Sequence, residues 1–448
     1  MARRLREREY LMSETYGIAG LVVLIVLLAL RVPIAVALGA VAMIGLSMVL
    51  SFDAMIGAAG SLTFDFVASW ELSAIPLFIF MGAVSSRSGL VASLFSVARV
   101  WLTRIPGGLA VATNLSAAGF AAASGSSLAT TAAMGELAIP EMLRARYQPG
   151  LACAVVAASG TLGALIPPSI LLVIYGLIAE VSIGDLLLAG VVPGLLTAIA
   201  YGALIVIRCK ISPSLAPQDD AAVQVPLVER FKMLTTVWPL PVLVLSVVGT
   251  IYSGLATATE AAALGCLAAI VIALGMRRLT WVIMVDSIRN TLRMTSMIFF
   301  IVLGAVLFSK FLAITGVPEM IGEAAGFTKG NPYLMFFVMS IIFLILGMFV
   351  DSLGMMLLTV PIFLPLVQQT GFSLIWFGVF VVKWIEIGLI TPPVGMNAFI
   401  VKGIVGDKVS LGTIFKGLTW FIAVEFVLMI ALVAFPEIVT FLPDLARH

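Results

Sequence analysis

Two apolar segments each carry adjacent prolines at their centre: "GTLGALIPPSILLVIYG" around Pro167 and Pro168, and "IEIGLITPPVGMNAFIV" around Pro392 and Pro393. Proline lacks a backbone donor, clashes with the preceding turn and pushes its predecessor out of the helical region. Residues 166–169 and 391–394 are therefore predicted to be unwound. Their flanks have the length and apolarity of membrane spans. Unwound backbone at membrane depth persists only where it is buried in protein or lines a watery cavity. Of the 448 residues 62% are hydrophobic and 11% charged, outside the range of soluble domains. The chain reads as an integral membrane protein.

Apolar runs of about 20 residues, the span of a bilayer, recur along the whole chain. Runs such as "GLVVLIVLLAL" and "MFFVMSIIFLILGMFV" are apolar on every face, unlike the alternating strands of a membrane barrel. The predicted fold is an all-α polytopic membrane protein with spans at 18–30, 33–50, 72–91, 108–140, 151–177, 186–207, 237–252, 257–276, 294–314, 332–349, 352–366, 375–404 and 414–435. The start, "MARRLREREYLMSETYG", has the look of a signal peptide, but the apolar pattern continues past Arg31 and Pro33, so an uncleaved helix pair is expected.

Several function classes are excluded early. A net charge of +2 without a basic block gives no ground for a nucleic-acid partner. Cys153, Cys209 and Cys266 are far apart in apolar surroundings and read as packing residues, with no disulfide framework and no transition-metal site. The only histidine is His448, so no Ser/His or Cys/His pair forms within the membrane and HExxH is absent.

The chain also repeats itself. "FMGAV" and "VLGAV" place Gly82 and Gly304 222 residues apart; "SSLATTAAMGELAIP" and "DSLGMMLLTVPIFLP" place Ser127 and Ser352 225 apart; "GALIPP" and "GLITPP" place Gly163 and Gly388 225 apart. Two repeats are predicted, 1–207 and 233–448, joined by a hydrophilic connector at 208–232. Each would hold a re-entrant hairpin (about 108–140 and 332–366) and a broken helix (about 151–177 and 375–404). If Arg99, Arg104, Arg144, Arg146 and the connector are cytoplasmic, the second repeat is inverted, although the basic residues 1–8 then fall outside.

Inverted repeats with interrupted helices mark secondary transporters, in which exposed carbonyls and half-helix ends hold ions and substrate. The hairpin tips are expected at Ser124 to Ser127 and at Asp351 to Gly354. Their hydroxyl and carbonyl oxygens suit a small hard cation such as sodium, while small residues at the same places also serve close helix packing. Asp351 either coordinates a cation or caps the following half-helix. Glu260 in "LATATEAAALG" belongs either to an ion path or to a helix cap. Lys383 and Glu386, three apart on one helical face, are expected to neutralise each other.

"SGSSLATTAAMGELAIPEM", "GTLGALIPPS", "SGLATATEAAALG", "GMFVDSLGMMLLTVPIFLP" and "GLITPPVGMN", in this order, resemble the large membrane subunit of tripartite ATP-independent periplasmic (TRAP) transporters. The likeness runs from the span after Gly17 to the last span. One departure is "TATE", Thr257 to Glu260, where a proline is expected after the first threonine. The resemblance implies an elevator-type carrier in the bacterial inner membrane, driven by Na+ as coupling ion with no other cofactor, that takes up organic acids such as C4-dicarboxylates or sialic acids. It implies a periplasmic substrate-binding protein and a small four-span membrane subunit as partners, the latter expected as a separate chain. Carried over by residue, sodium would lie around Ser124, Ser126, Ser127, Gly160 and Thr161 in the first half, and around Asp351, Ser352, Thr391 and Pro393 in the second. Substrate would lie near Ser127, Pro167, Pro168, Ser169 and Asn397. The rival carrier is a stand-alone symporter of the divalent-anion kind. An intramembrane enzyme lacks a base near Ser126 or an aspartate partner for Asp351, and a channel would want a pore-lining charged ring.

Replacing both Pro167 and Pro168 by alanine is expected to reduce transport while leaving a folded protein. Uptake by that double variant in cells, scored against its level in the membrane, checks this, and full activity would show the break to be dispensable.

Overall fold

The computed structural model describes the backbone of residues 2–90, 92–217, 225–324 and 331–446, with side chains except at 2–12, 29, 92 and 321–324. Val91, at the end of the third predicted span, part of the connector, and His448 lie outside the described residues. Among the described residues every regular element is a helix.

The chain opens with α1 (Ala2–Ala29), α2 (Ile34–Val49) and α3 (Phe52–Ala68), then turns through a short 3-10 segment into α4 (Ala74–Arg87). Residues 52–68 form no predicted span, yet they are helical, capped by the Ser51 hydroxyl on Ala54 N–H and bent by 56° from the helix that follows. Next come α5 (Ala92–Leu102), α6 (Gly108–Ser124), α7 (Ser127–Arg144), α8 (Pro149–Gly160), α9 (Ile170–Ala179) and α10 (Ile183–Ile211). The predicted connector is helical at both ends, since α10 runs to Ile211 and α11 (Leu227–Leu234) begins within it; α11, α12 (Pro239–Val244), a π-helical turn and α13 (Thr250–Tyr252) make one apolar stretch. Then follow α14 (Ala258–Gly275), α15 (Trp281–Ile314) and α16 (Val317–Ala324). The remaining elements are α17 (Pro332–Gly347), α18 (Ser352–Gln368), α19 (Leu374–Ile390), α20 (Met396–Val405), α21 (Leu411–Ala434) and α22 (Glu437–Ala446).

Among the described residues five helices or continuous helical stretches are long and apolar enough to cross a membrane unaided, or six where the bent pair of α3 and α4 counts as one span. Most other apolar helices have 10–17 residues. These short elements, together with the 18-residue α7, make up the predicted hairpins and broken helices: α6 with α7, α17 with α18, α8 with α9, and α19 with α20. This is a multi-pass membrane protein. The larger apolar core joins α2, α4, α14 and α15 to α9, α18 and α19, and a second joins α6, α7, α8, α10, α20 and α21.

Glu260 resolves as a cap: with Thr257 it forms a capping box at the start of α14, Thr257 N–H donating to its carboxylate at 2.8 Å. The missing proline in "TATE" therefore costs the helix start nothing. Gly82 and Gly304, paired in the repeat, both serve close approach but to different partners. Gly82 faces the Ser124 backbone of the first hairpin, whereas Gly304 faces Ala35 and Leu38 of α2.

The second hairpin meets the second broken helix glycine to glycine. A methyl on Gly388 would lie 2.6 Å from the Gly347 Cα, and one on Gly347 2.9 Å from the Gly388 Cα. Gly388→Ala is expected to lower stability by about 1–3 kcal/mol through forced separation of two backbones, read as a lower melting temperature in detergent.

Candidate functional site

The first hairpin turns at Gly125, whose φ of +64° is a left-handed conformation that glycine adopts without strain. Ser126 then caps α7 by accepting from Ala129 N–H at 3.4 Å, and the Ser124 and Thr130 hydroxyls meet at 3.0 Å. The tip thus closes with its own small polar groups.

Opposite the tip, α8 ends in a 3-10 turn at Thr161–Ala164, and the chain stays unwound until Ser169 caps α9. The Ser169 hydroxyl donates to Ala164 carbonyl at 2.5 Å and accepts from Leu172 N–H at 3.2 Å. Tip and break interlock through backbone. Ile170 N–H donates to the Gly125 carbonyl at 3.2 Å, a Cβ on Gly125 would strike the Pro168 carbonyl, and one on Gly163 would lie 2.6 Å from the Ser126 carbonyl. Pro167, Pro168 and Ser169 are buried.

The second half repeats the plan with a shift. α17 ends at Gly347 and Asp351 is the N-cap of α18, accepting from Gly354 N–H at 3.2 Å, so the tip spans Met348 to Asp351 rather than Asp351 to Gly354. A capping aspartate must precede the helix it starts, which displaces the turn toward the N-terminus. Asp351 and Ser352 are half-buried, Thr391 is buried, and Pro392 and Pro393 are exposed. Thr391 spends its hydroxyl on the Ile387 carbonyl at 2.6 Å. One break is sealed and the other open.

Of the first-half residues, Thr161 donates its hydroxyl to Ala158 carbonyl at 2.6 Å, and Gly160 leaves room for the Thr131 hydroxyl. The Ser127 hydroxyl is buried without a hydrogen-bond partner among the described residues. Asn397 sits at the start of α20 and donates to the Ala157 carbonyl of α8 at 3.1 Å, bringing the two broken helices together. Asn114 of α6, unmarked in the sequence, accepts from Ser159 and donates to the Ala198 carbonyl, both at 2.8 Å. Hairpin, broken helix and α10 are joined there.

The expected ion pair of Lys383 with Glu386 is not formed, although Lys383 still acts on Glu386 at longer range. Lys383 pairs with Glu425 of α21, and also donates to the Thr197 hydroxyl of α10 at 3.0 Å. Tyr201 donates to the other Glu425 oxygen at 2.5 Å. Lys383 is 0% and Glu425 2% exposed. An ion pair this deep is held only by complete hydrogen bonding, and the hydroxyls of Thr197 and Tyr201 supply it. A lone glutamate in the last apolar run, "FIAVEFVLMI", was the available signal for this pairing.

Paired hairpins seated on paired broken helices, in an all-helical apolar chain, define a membrane transport protein built on internal repeats. The sequence family described as "Tripartite ATP-independent periplasmic transporter, DctM component" matches residues 21–438, and the chain belongs to that family. It is 36% identical over 381 residues to the C4-dicarboxylate TRAP transporter large permease protein DctM of Pseudomonas aeruginosa, covering 85% of this chain and 86% of that one. The ectoine/5-hydroxyectoine TRAP transporter large permease protein UehC of Ruegeria pomeroyi is 33% identical, covering 84% and 86%. The sialic acid TRAP transporter large permease protein SiaM of Vibrio cholerae is 30% identical, covering 85% and 87%. Among solved structures the YdaH transporter of Alcanivorax borkumensis shares the fold, with a TM-score of 0.59 over 87% of this chain and 91% of that one at 14% identity.

Lys383→Met is expected to destabilise the protein by about 3–5 kcal/mol by stranding Glu425, and adding Glu425→Leu to recover much of the loss. Melting temperatures of the two variants in detergent check this order.

Proposed function

We propose that this permease imports a small organic acid across the bacterial inner membrane, driven by sodium and carried by an elevator movement of its hairpins and broken helices. The acid would be handed over by a periplasmic binding protein, and a small four-span subunit would brace the outer helices. The carrying observation is the first hairpin tip seated by backbone on the Pro167–Pro168 break, with the Ser127 hydroxyl buried behind it and turned toward Glu386. Sodium would be held near Ser124, Ser126, Ser127, Gly160 and Thr161, and near Asp351, Ser352, Thr391 and Pro393. Substrate would lie between Ser127, the Pro167 to Ser169 break and Asn397.

Three features support this reading. Asn397 ties the two broken helices to each other, Asn114 ties the first hairpin to α8 and α10, and the Lys383–Glu425 pair ties α19 to α21, so these helices hold together as a unit. The buried first break and exposed second break suit one end of an alternating cycle. Relatives named for C4-dicarboxylate, sialic acid and ectoine point to small carboxylated metabolites.

Proteoliposomes holding the permease with its small subunit and binding protein are expected to accumulate a labelled acid from a panel of those three kinds under an inward sodium gradient. Choline in place of sodium should abolish uptake, and Ser127→Ala or Asp351→Ala should cut it severalfold. Uptake without binding protein would instead favour the stand-alone symporter, and uptake indifferent to sodium would remove the coupling ion.

A further inference from the structure

Glu386 lies on α19, 1% exposed, and neither carboxylate oxygen makes a well-formed hydrogen bond among the described residues, the Ser127 hydroxyl being the side chain that comes toward it. Lys383, one turn earlier, is committed to Glu425 and Thr197. With both carboxylates ionised, the buried cluster of Glu386, Glu425 and Lys383 would carry one negative charge in excess. Leaving such a charge uncompensated in an apolar interior costs several kcal/mol or more.

The surroundings of Glu386 supply oxygen but no spare positive charge. From α7 the Ser127 hydroxyl faces it, from α21 the Glu425 carboxylate, and from α10 Tyr201, whose hydroxyl proton already goes to Glu425. Thr161, beside Tyr201, spends its proton on the Ala158 carbonyl. One helical turn beyond Ser127 the Thr131 hydroxyl is likewise buried and unpartnered, as is the Asn397 side-chain oxygen. Thr131 and Asn397 converge on Gly160, where a methyl would collide with the Thr131 hydroxyl and lie 3.3 Å from the Asn397 amide nitrogen. With that nitrogen bonded to Ala157, the Asn397 oxygen is left as an acceptor.

We infer that Glu386 is the charged ligand of a monovalent cation site behind the first hairpin tip, with Ser127 as its partner ligand and Thr131 and Asn397 lining its far side. The charge excess is one, so a monovalent ion restores neutrality where a divalent one would overshoot it. Carboxylate, hydroxyl and amide oxygens select a hard cation of the alkali class. The ion would also latch the hairpin, because Ser127 faces Glu386 from the seated tip. The inference deepens the sodium-coupled reading and rests on it only for the link to transport.

The test is equilibrium binding of labelled sodium to the purified full chain in lipid nanodiscs at fixed ionic strength, beside sodium-driven uptake in the complete system. Glu386→Gln keeps the shape and removes the charge. It is expected to weaken sodium binding by about tenfold or more, a loss of the size seen when metal-site partners are removed. Ser127→Ala should weaken it in the same direction, and serves alone if Glu386→Gln does not fold. Sodium binding unchanged in both variants overturns the site while leaving sodium-driven uptake standing. Glu386-dependent binding without sodium-driven uptake keeps the site and removes the coupling reading. Absence of sodium binding in the parent, with stabilisation on acidification that Glu386→Gln abolishes, assigns a proton to the carboxyl and overturns the cation site.

Discussion

Within a bilayer every backbone N–H and carbonyl must find its partner inside the protein, and two Pro-Pro breaks put that requirement under the greatest load. The first break meets it in three ways. Ser169 closes the lower end as an N-cap, the 3-10 turn tightens the upper end, and the hairpin tip lends the Gly125 carbonyl to Ile170. The glycines at 125 and 163 exist for that contact, since a side chain at either would hold the tip off the break. Membrane depth, broken helix and hairpin are three aspects of one hydrogen-bonding problem.

Charge poses the second problem, and it is solved by contacts that cross the molecule. Lys383, Glu425, Thr197 and Tyr201 come from three helices and both halves of the chain. Such a cluster contributes little net stability against a well-packed apolar alternative. Its effect is positional: α10, α19 and α21 can meet in only one register if the ammonium and carboxylate are to stay satisfied. Asn114 and Asn397 set the hairpin and the two broken helices with the same logic, using neutral groups.

Much of this was legible in the sequence because proline, glycine and serine act locally. "PP" announces unwinding and "SGSS" a turn with a cap whatever the rest of the chain does, and both breaks and the first tip lie where those residues place them. Distant contacts were less readable. Lys383 and Glu386 share a helical face, so neutralisation between them was the local expectation, but the carboxylate that wins belongs to a helix 42 residues away. Asp351 reads from the sequence as a possible cap, and because a cap stands before the helix it starts, the tip lies at Met348 to Asp351, N-terminal to its expected place. Residues 52–68 went unassigned because Asp53, Asp65 and several small residues dilute the apolar signal, although Ser51 supplies a good N-cap. Of the candidate site, the polar residues at the tips were visible, whereas Thr131, Asn114 and Glu425 become meaningful only once the helices are packed.

The seal between the first tip and the first break is made of main chain on both sides. A door hung on side chains can swing through rotamers in nanoseconds and leak as it does so. Separating Gly125 and Ser126 from Pro168 and Gly163 would mean shifting the ends of whole helices together rather than turning one rotamer. A carrier built this way would move its cargo in discrete counted steps, and would tolerate a steep gradient across the membrane without bleeding it away.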